Sequence, residues 1–167
     1  MNYYIDFDGV ILDTEPILFE EWDKIPNNHL LPDVELENYI RNANWEVILS
    51  NAKEINDSIY CLQQMDLNTT SIITRVHSLG NEARLKTEWL RKNNIKQNVI
   101  FVPYNLNKAD VVLAEGNILI DDGITNLDDW HRKGGHAIYF DSHENSDSEI
   151  DVPYKRIRKI SDAYLNI

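Results

Sequence analysis

The chain has 167 residues, enough for one ordinary domain with room for a small insertion. Its 16 Lys and Arg against 28 Asp and Glu leave a net charge of −12. Such a field repels a polyanionic backbone and argues against long nucleic acid as a partner.

The single cysteine, Cys61, excludes an internal disulfide and suits a reducing compartment. The N-terminus lacks the basic and apolar regions of a signal peptide. No run approaches the ~18 continuous apolar residues of a membrane helix. The expectation is a soluble, cytoplasmic protein with no membrane partner.

Residues 3–15 (YYIDFDGVILDTE) begin as a short apolar run of β-forming residues, the pattern of a buried strand. Asp6 and Asp8 follow at i and i+2, positions that share a face while the chain stays extended. Gly9 then breaks the strand. Two carboxylates closing a hydrophobic strand make a poor core and a good cation site. Residues 16–24 carry apolar residues at roughly helical spacing, with Pro16 tolerated in the first turn. Pro26, two asparagines and Pro32 mark a connection. Weaker helical patterns cover 34–41 and 45–49. A longer one over 54–65 places Ile55, Ile59, Leu62 and Met65 on one face. Residues 16–65 therefore read as a helical insertion of about fifty residues, too small to stand as an independent domain.

From Asn68 the texture becomes β/α. A strand over 69–74 ends at Thr74, and a helix follows over 82–93. A strand over 98–102 is closed by Pro103, and a short helix spans 108–115. A strand over 117–122 ends in Asp121 and Asp122. A helix over 125–133 stops at Gly134 and Gly135, and a fifth strand covers 136–140. Residues 141–151 read as an acidic, solvated loop, and 160–166 as a short closing helix. Trp22, Trp89 and Trp130 lie on apolar helix faces. Asp128 and Asp129 read as helix surface. His77, His131 and His136 lack metal-ligand spacing.

Strands alternating with helices predict an α/β fold, a three-layer, Rossmann-like parallel sheet of about five strands. Residues 1–15 and 66–167 would form its body, interrupted by 16–65 after the first strand. In such sheets ligands bind beyond the carboxyl ends of the strands. Asp6, Asp8, Thr74, Asp121 and Asp122 fall at those ends, and Lys108 lies in the connection after the third strand. One crevice would gather them.

Taken in order, Asp6-Phe7-Asp8-Gly9-Val10, Ile72-Ile73-Thr74, Lys108 and Ile118-Leu119-Ile120-Asp121-Asp122 resemble the four motifs of the haloacid dehalogenase-like superfamily of hydrolases. The resemblance covers nearly the whole chain. It implies a phosphohydrolase with Asp6 as nucleophile and Asp8 as the acid that protonates the leaving oxygen and then activates water. It implies Mg²⁺ held by Asp6, the backbone carbonyl of Asp8 and Asp122, with Asp121 and Asn126 supporting from outside. Thr74 would hydrogen-bond a phosphate oxygen, and Lys108 would neutralise phosphate and nucleophile, with Lys96 the alternative lysine. Arg75 is either a further phosphate ligand or a surface cation. Residues 16–65 would form a small helical cap.

The chemistry suits these residue types. Phosphate monoester hydrolysis needs up to a ~10²¹-fold acceleration, and a carboxylate nucleophile divides it into two easier steps. A carboxyl able to switch protonation serves both of them. Mg²⁺ on hard oxygen ligands relieves the repulsion between the acids and the substrate.

Residues 98–127 also look like the small 5′-nucleotidase-like members, through Lys108-Ala109-Asp110 and Leu119-Ile120-Asp121-Asp122 with Asn126-Leu127. A nucleotide is therefore the leading small phosphorylated metabolite. The continuation Ile11-Leu12-Asp13-Thr14-Glu15 looks more like the sugar-phosphate phosphatase and phosphomutase branch. Trp45 would either stack on a base or pack in the core. Asp8 argues against a dehalogenase, which normally lacks this second acid. A catalytically silent module that binds a ligand or a protein stands as the alternative of a different class.

Overall fold

The computed structural model describes residues 1–142 and 151–164. The chain enters through β1 (Tyr3–Ile5) and turns at once into β2 (Leu12–Asp13). Helices α1 (Glu15–Phe19), α2 (Asp33–Asn42) and α3 (Trp45–Asn51) follow. The short β3 (Lys53–Glu54) then pairs antiparallel with β2, Leu12 opposite Glu54 and Asp13 opposite Lys53. Next come α4 (Ser58–Gln64), β4 (Thr70–Val76), α5 (Arg84–Lys92), β5 (Asn98–Pro103) and α6 (Lys108–Val111). β6 (Ile118–Asp121), α7 (Ile124–Arg132), β7 (His136–Phe140) and β8 (Lys155–Ile157) complete the strands and α-helices of the described residues.

Six strands form one sheet in the order β5-β4-β1-β6-β7-β8, and every pairing is parallel. The alternation of strand side chains divides the apolar residues between two faces. Ile5, Ile72, Ile118 and Ile120 pack with Leu62 and Leu90 from α4 and α5. Ile73, Val102 and Leu119 pack with Leu127 and Trp130 from α7. A sheet buried on both faces explains strands that read as continuous apolar runs. It is the predicted three-layer α/β fold, with six strands where about five were expected.

The sixth strand, β8, has the sequence Lys-Arg-Ile and only Ile157 inward, so periodicity does not reveal it. The pattern over 54–65 divides in two. Glu54 belongs to β3, the Ile55 amide donates to the Ile11 carbonyl at 3.1 Å, and Asn56 and Asp57 take left-handed φ values of 46° and 60° before α4 begins. The helix read over 16–24 ends at Phe19 and continues as turns. Helix α5 is preceded by a wide π-type turn, Leu79–Ala83. A 3₁₀ turn, Ile160–Ala163, occupies the start of the closing helix, whose last residues lie outside the described ones.

Most of the acidic segment also lies outside the described residues, but its first member is not solvated. Asp141 is buried, 3.3 Å from Arg158 and 3.7 Å from Arg156. Asp129 is likewise buried, paired with Arg132 and, at 3.3 Å, Lys133, rather than lying on the helix surface.

Candidate active site

Asp6 leaves β1 with its backbone still in the sheet, the amide donating to the Ile120 carbonyl at 2.9 Å. The chain then reverses. Gly9 takes φ +72° and its amide donates to the Leu12 carbonyl at 2.8 Å. Extended geometry therefore ends before Asp8, and the two carboxylates engage different partners instead of converging.

Asp6 faces the end of β6. Ligand oxygens of Asp6, Asp121 and Asp122 lie within 4.8 Å of one another. Lys108, at the start of α6, is buried with its Nζ 2.8 Å from Asp6 Oδ1 and 2.6 Å from Asp121 Oδ2. The α6 N-terminus is fixed by a reciprocal cap between Asn107 and Asp110. Burial opposes the Lys108 charge, yet the Asp121 and Asp6 carboxylates hold its pKa above the ordinary lysine value.

Asp121 is fully satisfied. It accepts from the Gly123 amide at 2.8 Å, from Lys108, and from Asn126 Nδ2 at 3.0 and 3.1 Å. Asp122 has no hydrogen-bond partner among the described residues. Its carboxylate lies against the Gly9 backbone, where an added Cβ would come within 1.9 Å of Oδ2.

Three carboxylates around one ammonium leave two uncompensated negative charges. Asp6 accordingly has its pKa raised to about 7 by burial, then by the Asp121 charge, with Lys108 opposing. Burial, followed by the charges of Asp6, Asp121 and Glu15, raises Asp122 to about 8. A hard divalent cation supplies the missing charge, and carboxylate oxygens are the donors that Mg²⁺ takes. The donor set fits the ion.

Asp8 turns the other way. Its Oδ1 accepts from Thr14 Oγ1 at 2.7 Å, and its Oδ2 lies 2.6 Å from Lys86 Nζ and 3.3 Å from Thr74 Oγ1. Thr74 is buried on β4. The next residue, Arg75, points to the opposite face and donates from Nη2 to Asn107 Oδ1 at 3.0 Å, beside Lys108 in sequence.

Lys86 and Glu82, both buried, are absent from the sequence reading. Glu82 and Lys86 stand at i and i+4, a spacing that ordinarily describes a solvated surface pair. Trp45 is buried beneath Lys86, with the ammonium 4.7 Å from its ring centre. It packs in the core and offers no free face to a base.

A cavity of about 290 Å³ opens beside this centre. Gly9, Phe19 and Asp122 line it, and Asp13, Glu15 and Asp23 supply acidic groups, with no basic side chain among the described lining residues.

Carboxylates and a lysine are thus gathered beyond the carboxyl ends of a parallel sheet, where such α/β folds bind their ligands. No family model and no curated protein matches the chain. Solved structures do. A haloacid dehalogenase-like (HAD) hydrolase of family IA, variant 3, from Entamoeba histolytica shares 13% identity over 96% of this chain and 94% of its own, with a TM-score of 0.63. A HAD phosphatase from Thermococcus onnurineus shares 14% over 97% and 95%, with a TM-score of 0.61. The HAD-hydrolase YfnB from Bacillus subtilis, described as bound to magnesium, shares 16% over 99% and 98%, with a TM-score of 0.52. The likeness spans both chains almost entirely, and the protein has the haloacid dehalogenase-like hydrolase fold.

Proposed function

We propose that the chain is a Mg²⁺-dependent phosphohydrolase of the haloacid dehalogenase-like superfamily, acting on a small phosphate monoester through an aspartyl-phosphate on Asp6. The observation that carries this reading is the group of buried Asp6, Lys108 and Asp121 with half-buried Asp122, which sets a carboxylate able to act as nucleophile beside an unmet demand for positive charge. Residues 1–15 and 66–167 form the catalytic body in this reading. Residues 16–65 form a helical cap rooted on the β2–β3 pair.

A carboxylate oxygen of Asp6 attacks phosphorus, the ester P–O bond breaks, and Asp8 gives its proton to the leaving oxygen. Asp8 then takes a proton from water as that water attacks the aspartyl-phosphate. Inorganic phosphate leaves and Asp6 is restored. Lys108 holds Asp6 in place and offsets the charge brought by the phosphoryl group, while the Thr74 hydroxyl is committed to Asp8 and the Arg75 guanidinium to Asn107 on the opposite face. Asp6, Asp122 and the Asp8 carbonyl would hold Mg²⁺, with Asp121 and Asn126 supporting them, and the bound ion would supply stabilisation of charge on the phosphoryl oxygens.

A 5′-nucleotide is the leading substrate on the resemblance of residues 98–127. A sugar phosphate is the second reading, favoured by the acidic cavity, whose carboxylates accept hydrogen bonds from hydroxyl groups, and by the burial of Trp45. A cytoplasmic location agrees with the single cysteine, and no described helix is long and apolar enough to cross a membrane.

Phosphate release should be screened across nucleotides and sugar phosphates, with Mg²⁺ and with EDTA. Asp6→Asn should lower kcat by about 10⁴-fold or more; a variant as active as wild type rejects the nucleophile. Ligand binding without release from any substrate favours the silent module.

A further inference from the structure

The reaction above uses one buried lysine, and the protein has two at its centre. Lys86 is fully buried on α5, and all three donors of its ammonium are engaged. Its acceptors are Asp8 Oδ2 at 2.6 Å, Glu82 Oε1 at 2.9 Å and Thr74 Oγ1 at 3.2 Å. Glu82 is itself anchored, its Oε2 accepting from the His77 amide at 2.7 Å. The rings of Phe7 and Trp45 enclose the ammonium at 5.2 and 4.7 Å.

Burying a cation and an anion is costly, and a well-packed apolar pair often stabilises a fold as much or more. Departures of this kind gather where function requires them. Here the network ends on the side chain that must exchange a proton. Lys86 and Thr74 occupy Asp8 Oδ2, and Thr14 takes one site on Oδ1. A carboxylate oxygen has about two lone-pair sites, so Oδ1 keeps one.

We propose that the Glu82–Lys86 pair is a positioning device for Asp8, locking its carboxylate in one orientation so that Oδ1 is the oxygen that exchanges the proton. Lys86 is a positioning residue: it touches Asp8 and leaves the nucleophile to Lys108. The inference rests on the reading of Asp8 as the acid and base of a phosphohydrolase.

The test separates positioning from support of the fold. Proton donation matters most for esters with poor leaving groups, so kcat is measured on an alkyl phosphate and on p-nitrophenyl phosphate with Mg²⁺ present. Lys86→Met strands the Glu82 charge, so the main variant is E82Q/K86M, which removes both charges. Glu82→Gln keeps the ammonium and tests the anchor alone. For E82Q/K86M we expect kcat on the alkyl ester to fall at least about tenfold more than on the aryl ester, with KM little changed. Asp8→Asn should show the same selectivity more strongly, and Glu82→Gln a weaker form of it. Equal losses on both esters, or an altered melting temperature with kinetics unchanged, overturn the proposal. Wild-type protein that hydrolyses neither ester rejects the phosphohydrolase reading, and with it the role assigned to Lys86.

Discussion

Asp6 and Asp8 are two residues apart, yet each meets its own lysine. Lys108 bridges Asp6 and Asp121, and Lys86 holds Asp8. Asp122 is left facing the Gly9 backbone without a cation of its own among the described residues. A carboxyl whose folded pKa exceeds its unfolded value keeps its proton longer in the folded state. Metal-free protein therefore loses stability as pH rises from about 4, through about 7 for Asp6 and about 8 for Asp122. Mg²⁺ held by these carboxylates would take their ionised form, so it should stabilise more at pH 8 than at pH 5.5, by about 2–3 kcal/mol at a hundredfold excess over Kd. Asp122→Asn should flatten the metal-free pH dependence and remove most of the Mg²⁺ effect. Thermal melts in EDTA and in Mg²⁺ across that range check both points. Much of this centre was legible, because strand ends in an α/β pattern are where ligands bind, and Asp6, Asp121 and Asp122 stand on such ends, while β4 runs two residues past Thr74, where the sequence pattern ends it. Lys86 was not, because an i,i+4 Glu–Lys pair looks the same in sequence whether water or a tryptophan covers it.

At the scale of elements, the turn from β1 to β2 does two things. It carries the chain out of the sheet into the helical segment, and it brings backbone against Asp122. Only a residue without a Cβ satisfies both, since Gly9 has φ +72° and a Cβ would stand 1.9 Å from Asp122 Oδ2. Gly9→Ala should cost at least about 1–2 kcal/mol of stability from the left-handed backbone alone. It should also weaken Mg²⁺ binding by displacing Asp122, measurable by calorimetric titration in parallel with melting. The long apolar strands were readable from periodicity. The two-residue β2 and β3 were not, because no alternation can be established over two positions. Their pairing depends on the Ile55 amide reaching the Ile11 carbonyl, a contact between segments forty-odd residues apart in the chain.

For the whole molecule, the net charge of −12 continues into the cavity, where Asp13, Glu15 and Asp23 surround the approach to Asp122. In the proposed reaction one phosphoryl group would meet Lys108 and the metal site. Further phosphates on the same substrate would meet carboxylates, and like charges brought together cost several kcal/mol. We expect kcat/KM for a nucleoside or sugar monophosphate to exceed that for the corresponding di- or triphosphate by at least about tenfold, in phosphate-release assays at matched free Mg²⁺. Equal rates would show that the acidic mouth does not sort substrates by charge.

The position of β1 in the sheet has a consequence for how the protein is made. Tyr3 pairs with Thr70 on one side and Ile118 on the other, and the Asp6 amide waits for the Ile120 carbonyl. β1 therefore cannot be enclosed on both sides until residues near 120, more than a hundred positions further along the chain, have been made. Parallel pairings of such long range form slowly, and until then an apolar strand with an open edge is exposed to aggregation. A nascent chain thus carries Asp6 unsheltered until β6 has been made, and the gathering of Asp6, Asp121 and Asp122 coincides with closure of the sheet.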